Sequence, residues 1–530
     1  MNWRRGSAAV MSAVLTTGLL AGCSDSAQPQ GAAGAQGAGA GSGSGPVTLK
    51  VEIFDRGNSP AGKTATNNDN TQWIQETFGK PNNIKLEFIP VPRSQEIEKL
   101  NVLMASGDAP DIVFTYDSNL VYKYVKQGGL TDLGKLIDEH GPNLKSYLGE
   151  DTLAYGKFDG VQYAIPAKRA YLGKYSSMIR QDWLDKLGLA LPKTTEEVYA
   201  ALKAFKEKQP GGPQTIPLGF SLAPASYEPI IWPFIQKTTE EEKYTMLQQL
   251  GSRDNPLLLP GHKEGIRFLN KLYNEGLMSP DFALDKDKKK LQQDIMTGKV
   301  GMYAEDAGAS YGTAPDILGV LRKNVPDAKV KPVDPYTNAE GKHVKPSYQP
   351  AGMYIMIPKS STKAAEAVKY LNWMAAKDVL ITLSSGIEGT NYTLKDGVPV
   401  IKDDTETKNR LYNAGDLRLV ANGIDFGSSE LNLKSMTVSL KGQDAEDAAL
   451  AFQHGLAAGL PPVRFDRPIA AEVKYGNALH DKYDELLVKS VMAKPEAFDG
   501  VYDSLLKDYM NSGGEEIRKE RTEAYKAMKK

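Results

Sequence analysis

The chain has 530 residues, with 64 Lys and Arg set against 65 Asp and Glu and a formal net charge of −1. That length allows two to four domains at roughly 150 residues each, and the absent basic excess argues against nucleic acid as a partner. Cys23 is the single cysteine, so an intrachain disulfide and a thiolate metal cluster are excluded and stability must come from a large core.

In chain order, Arg4 and Arg5 precede a mostly apolar run from Ala8 to Leu20, followed by Leu20-Ala21-Gly22-Cys23. Charged, apolar and small-residue regions in that order mark an export signal. The run is shorter than the roughly 20 apolar residues of a membrane-spanning helix. Leu-Ala-Gly-Cys resembles a bacterial lipobox. The resemblance implies a signal peptide over 1–22 and lipid attachment at Cys23; an ordinary secretory signal with an incidental cysteine is the alternative. Residues 23–46 are mainly Gly, Ala, Ser and Gln, with no aromatic or large aliphatic residue, and read as a flexible leash.

The body opens with Val47 to Phe54, alternating and then mostly apolar, which predicts a strand. A helix around 72–78, a strand over 84–90, a helix over 96–104 and a buried strand over 111–114 follow. This βαβαβ order predicts a parallel sheet with helices on its faces. Lys193 to Lys208 reads as a helix: Thr194 and Glu197 have capping-box spacing, and Val198, Leu202 and Phe205 share a face. Another helix spans 363–376. The tail beyond Glu472 is helical, and its last turns, rich in Lys and Glu, read as a solvated face.

Three motifs are decoys. Gly57-Asn58-Ser59-Pro60-Ala61-Gly62-Lys63-Thr64 fits the P-loop pattern, but a turn-forming run, Thr66 to Asn70, follows where a helix should start. Gly219-Phe220-Ser221-Leu222-Ala223 lacks the last glycine of a nucleophile elbow, and nothing selects a partner among His140, His262, His343, His454 and His480. Asp285 to Lys290 lacks the glycine and distal glutamate of a calcium loop. The sequence therefore offers no catalytic set and no metal-ligand set.

Several segments are spread over nearly the whole body: Val91 to Glu96, Leu103 to Asp111 (LMASGDAPD), Tyr163 to Pro166, Arg180 to Gly188 (RQDWLDKLG), Gly298 to Met302 and Gly386 to Tyr392. They resemble the extracellular solute-binding proteins of bacterial ABC importers, especially the long sugar-binding lipoproteins of Gram-positive bacteria. The resemblance implies a periplasmic-binding-protein-like α/β fold, two α/β lobes with a ligand cleft between them. By analogy, lobe 1 takes 47–165 plus 335–390 and lobe 2 takes 166–334 plus 391–530. It implies a non-enzymatic receptor, without cofactor, that captures a carbohydrate, expected to be an oligosaccharide, by hinge closure. The receptor would be a monomer, held at the extracellular face of the cell membrane by its lipid anchor alone, delivering solute to the transmembrane subunits of a permease. Many long members carry a calcium loop where this chain has Lys208 to Thr215, a stretch without a carboxylate, so a metal is not expected there. The rival readings are an exported carbohydrate-active hydrolase with paired carboxylates and a surface protein that binds sugars without feeding a transporter.

A sugar offers apolar C–H faces to aromatic rings and hydroxyls to planar polar groups. Aromatics beside polar residues just past strand ends are therefore the candidates: Tyr116 and Asp117, Arg169 and Tyr171, Tyr227, Trp232, Tyr303 and Asp306, with Gln349, Glu388 and Asn391 added. Each aromatic has an ordinary alternative, packing in the core or between lobes. Trp183, in the Asp-Trp-Leu helix, is expected in the core.

Overall fold

The computed structural model describes residues 45–530 except 236, 252, 313–315, 339, 466 and 530. Cys23, the expected signal peptide and the leash up to residue 44 lie outside the described residues.

Two sheets organise the body. In chain order their strands are β1 (Val47–Asp55), β2 (Ile84–Pro92), β3 (Val113–Thr115), β4 (Ala164–Arg169), β5 (Tyr175–Arg180), β6 (Ile216–Leu218), β7 (Val300–Asp306), β8 (Val330–Val333), β9 (Ala351–Met356) and β10 (Ala421–Asn422). β1 and β2 pair in parallel with Val51 opposite Phe88. A parallel bridge from Val51 to Ile112 carries the sheet on to β3, as the βαβαβ order predicts. β9 then lies antiparallel between β3 and β4, and β10 pairs in parallel with β4. In the second sheet the order is β8-β5-β7-β6. β5 runs against both neighbours, and β6 runs parallel to β7.

The directions matter for the site. β1, β2, β3, β4 and β10 run one way, so their carboxyl ends share one edge. β6, β7 and β8 likewise share an edge with the start of β5. The chain passes between the sheets at 170–174, 334–350 and 423–428. Leu417, Leu419, Val420 and Ala421 pack in the core of the first sheet, although the sequence reading gave everything after 390 to the second lobe. The pairing of β10 with β4 draws them there.

Each sheet has its own core. Leu49, Ile53, Phe114, Ile165, Ile355 and Leu371 belong to the first; Trp183, Phe205, Leu218, Leu269 and Met302 belong to the second. Full burial of one such side chain contributes about 1.5–3 kcal/mol. Trp183 is a core residue as expected, edge-on to Phe205 at 5.3 Å. The helix Thr195–Lys208 is capped by Thr194 Oγ1, which accepts the Glu197 N–H at 3.2 Å. The expected reciprocal bond is displaced: Glu197 accepts the backbone N–H of Lys193 instead. In the turn after this helix, a Cβ at Gly211 would lie 2.4 Å from the Trp183 indole. That carboxylate-free stretch is thus fastened by apolar approach.

The tail departs from expectation. In the final helix, Glu515–Met528, Ile517, Arg521 and Ala524 are buried. Arg521 Nη1 meets Glu472 Oε1 at 2.6 Å, and its Nε donates to the Tyr244 carbonyl at 2.7 Å. A charge-rich helix is solvated only on the face that its neighbours leave open, and helix Ala470–Met492 covers the other.

Buried ionisable groups give the fold a pH signature. Desolvation raises Glu52 to about 8 and Glu228 to about 7 from an ordinary 4.5. Desolvation also lowers His262 to about 3 from 6.5; its ring is held between the Tyr502 and Tyr483 hydroxyls at 3.0 and 3.1 Å. The native glutamates keep their protons up to about pH 7 and 8, so their contribution is complete below the unfolded pKa of 4.5 and is lost as pH rises through 7 to 8. His262 acts oppositely: its unfolded form takes a proton below 6.5, and stability is lost from there down to about 3. Two carboxyls outweigh one imidazole until they too are protonated in the unfolded chain. The melting temperature is therefore expected to peak near pH 5. Thermal melts across roughly pH 3.5 to 9 check this; a maximum at or above neutrality would show that these groups do not govern the profile.

Candidate ligand-binding cleft

The aligned carboxyl ends are where open α/β sheets hold ligands, because loops there can diverge and leave a crevice. A cavity of about 340 Å³ lies at this place. Arg93 follows β2, Tyr116 follows β3, Arg169 ends β4 and Asn422 ends β10, and these form one wall. Lys174 before β5, with Gln249 and Asp254, forms the other; Tyr348 and Gln349 come from the connection between β8 and β9. Two adjoining hollows lengthen the groove. One, of about 330 Å³, shares Arg169, Lys174 and Tyr348 and adds Tyr171 and Asp306. The other, of about 440 Å³, shares Arg93 and Tyr116 and adds Asp117. Gly352 borders the main cavity at an irregularity in β9, where a Cβ would lie 3.2 Å from the Asn422 Cβ.

Arg93, Arg169 and Lys174 meet the rings of Tyr116 and Tyr348 in the lining. The Arg93 guanidinium lies 4.7 Å from the Phe54 ring centroid and 5.1 Å from that of Tyr116, and it is paired with Glu96. Arg56 forks onto Asp416 through Nε at 2.8 Å and Nη2 at 2.7 Å. Lys174 stands 3.4 Å from Asp254. Arg169 rests on Tyr348, 4.0 Å from its centroid. Burial raises the Tyr116 pKa, while the guanidiniums of Arg93, Arg169 and Arg56 pull it down. Burial lowers Arg169 from the ordinary arginine value, opposed by the phenols of Tyr348, Tyr116 and Tyr354.

The sequence candidates divide. Tyr116, Asp117, Arg169, Tyr171 and Asp306 line the groove. Asp117 Oδ1 also accepts the Asn119 N–H at 2.9 Å and caps the helix Ser118–Lys126. Asp306 pairs with Lys288 at 3.1 Å, and the Tyr171 hydroxyl donates to the Phe452 carbonyl at 2.7 Å. Gln349 borders the cavity and donates to the Tyr354 hydroxyl at 2.9 Å. The other candidates face elsewhere. Tyr227 packs on Tyr483 in the second core. Trp232 is 1% exposed among Ile235, Leu247 and Leu259. Tyr303 is buried with its hydroxyl 3.1 Å from Ser310 Oγ. Asn391 builds a turn, accepting from the Ile387 N–H at 2.9 Å and donating to Thr407, and exposed Glu388 belongs to that same turn. Except for exposed Glu388, the residue's apolar body or amide is taken by local packing rather than offered to the cleft.

Arg93, Lys174 and Tyr348 were not among the sequence candidates as ligand contacts. Arg93 had a faint signal, since it lies three residues past the strand predicted over 84–90 and directly follows the observed one. Lys174 and Tyr348 sit in the connections between sheets, where neither alternation nor helical periodicity speaks.

The decoys resolve structurally. Lys63 is paired with Asp69 at 2.6 Å, and the next helix starts only at Asp69, capped by Asn68. Ser221 is buried with its Oγ 2.9 Å from Ser226 Oγ. Asp285 accepts the backbone N–H groups of Lys290 and Leu291, holding the start of the helix Lys289–Met296. Among the described residues there is no group of three or more His, Cys, Asp or Glu placed to hold a metal ion, and no helix is long and apolar enough to cross a membrane.

Comparison with known proteins agrees with this geometry. The family described as bacterial extracellular solute-binding protein matches residues 65–380. Lipoprotein LipO of Bacillus subtilis is 28% identical over 405 residues, covering 73% of this chain and 74% of the relative. The polygalacturonan/rhamnogalacturonan-binding protein YtcQ of the same organism is 26% identical over 346 residues, covering 62% and 65%. The structure of the S. pneumoniae ABC-transporter substrate-binding protein FusA in complex with kestose superposes with a TM-score of 0.67 at 17% identity, over 91% of this chain and 99% of that one. Two α/β lobes, a cleft at their strand ends and a family match across most of the body agree, and the chain belongs to the bacterial extracellular solute-binding protein family.

Proposed function

We propose that this protein is the extracellular receptor of an ABC importer, capturing a carbohydrate in the cleft and delivering it to a permease. The observation that carries the reading is the groove itself: rings and planar polar groups from both sheets converge on strand ends, within a chain of the solute-binding family. Sugars have the C–H faces and hydroxyls such a lining takes. Relatives named for polygalacturonan or rhamnogalacturonan and for fructooligosaccharide support a saccharide.

The mechanism is hinge closure. Solute contacts both lobes only when they are shut, so it stabilises the closed state by that difference in affinity. Lobe 1 in this reading takes residues 47–169, 351–390 and the segment reaching β10, and lobe 2 takes the remainder of the body. No bond is made or broken, and the receptor acts as a monomer without a cofactor. Tyr116, Asp117, Arg169, Tyr171 and Asp306 form the binding set together with Arg93, Lys174 and Tyr348.

Titration calorimetry and thermal shift against an oligosaccharide panel test this, because a ligand that binds only the folded state raises the melting temperature. Saturable one-to-one retention is the expected result. Product release would transfer the protein to the hydrolase reading. Tyr116→Ala should weaken the best solute by about tenfold, the scale of one lost stacking contact in a desolvated cleft. Cys23 is the anchor in this reading. Cys23→Ala should abolish incorporation of labelled palmitate and release the protein into the medium, whereas persisting label would remove the anchor from that position.

A further inference from the structure

Placing a charge out of water is costly unless another group compensates it. Arg93, Arg169 and Lys174 are the cations lining the main cavity. Arg93 has Glu96, and Lys174 has Asp254. Arg169 has no ion pair among the described residues. Its Nε is buried without an acceptor, and its partner is the face of Tyr348. The interactions it feels come from the phenols of Tyr348, Tyr116 and Tyr354 rather than from any carboxylate.

The acids nearby are already occupied. Asp254 holds Lys174, Asp306 holds Lys288, and Asp117 caps a helix. Arg169 also borders both the main cavity and its neighbour, so it stands centrally in the groove. The main cavity therefore keeps one cation without an ion pair, Arg169, stacked on Tyr348; Arg418, which borders the adjoining hollow, also has no ion pair among the described residues but donates to Ser384 Oγ at 2.7 Å.

Resting on the saccharide-receptor reading, we propose that the solute is acidic: a uronic-acid-bearing oligosaccharide whose carboxylate is taken by Arg169 on Tyr348. A planar guanidinium fork matches a carboxylate with two parallel hydrogen bonds. Its charge, unsatisfied in the empty protein, is satisfied by the guest. Within the main cavity Lys174 is engaged by Asp254, which leaves the Arg169 fork for the carboxylate. The rings of Tyr116 and Tyr348 remain for the sugar's C–H faces.

Matched probes separate this from the parent reading. Trimers of galacturonate, glucuronate and mannuronate are titrated beside their carboxyl-reduced counterparts, which keep the stereochemistry and lose the charge. At least one acidic trimer is expected to bind about tenfold or more tightly than its reduced form. Arg169→Gln should abolish that preference, and Arg169→Lys should keep part of it. The empty Arg169→Gln protein should melt at or above the wild-type temperature, since it sheds an uncompensated charge. Reduced trimers that bind as well as acidic ones, or an acid preference that survives Arg169→Gln, would overturn the inference while leaving a saccharide receptor standing. Binding of neither class would overturn both.

Discussion

Replacing Arg521 with alanine is expected to lower folding stability by about 3–5 kcal/mol, the range for removing one partner of a buried ion pair. Arg521 and Glu472 are both fully buried. Glu472 Oε1 also accepts the Gln249 backbone N–H at 2.7 Å, and the Arg521 guanidinium lies 4.8 Å from the Phe465 centroid. Alanine would leave the Glu472 carboxylate in the core with a single amide. It would also loosen the last helix from Ala470–Met492 and free Gln249, which lines the cleft. Solute affinity should fall with stability. Urea unfolding reads the loss as a lower midpoint at unchanged slope. The exposed pair Lys489–Glu485 is the control, and breaking it should hardly move the midpoint. Replacing Arg521 and Glu472 together by methionine should recover much of the loss, because two apolar residues leave no orphaned charge. A midpoint unchanged in Arg521→Ala would mean the pair is not desolvated in solution.

Trp232→Ala is expected to lower stability by about 3–5 kcal/mol as well, through the cavity left among Ile235, Leu247 and Leu259. Its effect on the cleft should be the opposite of Arg521→Ala. No hollow of the groove is bordered by Trp232, so the affinity of the remaining folded protein should stay within about twofold of wild type. Calorimetry at a temperature where the variant is folded checks this. A large loss of affinity without a loss of stability would return Trp232 to the binding set. The pair of variants thus separates an aromatic that builds the lobe from a cation that also braces the cleft wall.

Both cases bear on what a sequence carries. Trp232 stands in the apolar, Pro-broken run Pro229 to Ile235, whereas Tyr348 stands between Ser347 and Gln349. One is core and the other lines the cleft, and the apolar neighbours of Trp232 were the local sign of its burial. Arg521 lies among Lys and Glu in a tail whose composition reads as surface, yet its partner Glu472 is 49 positions away. Tyr116 and Asp117 were legible because they follow a short apolar strand directly, and the carboxyl end of a parallel strand is a local feature. Lys174 was not, because its role depends on Tyr348 and Asp254 arriving from distant segments.

By itself the sequence determined the α/β order of the first lobe, the helix Thr195–Lys208, the core position of Trp183 and the motifs that resemble the family, since strand alternation, helix capping and short spacings are written over a few neighbouring residues. The tertiary structure alone decided which rings face solute, which acid answers which cation, and that Arg169 is left unanswered. Those outcomes depend on side chains brought together across hundreds of positions, and burial and charge pairing are properties of that assembled surroundings rather than of the residue.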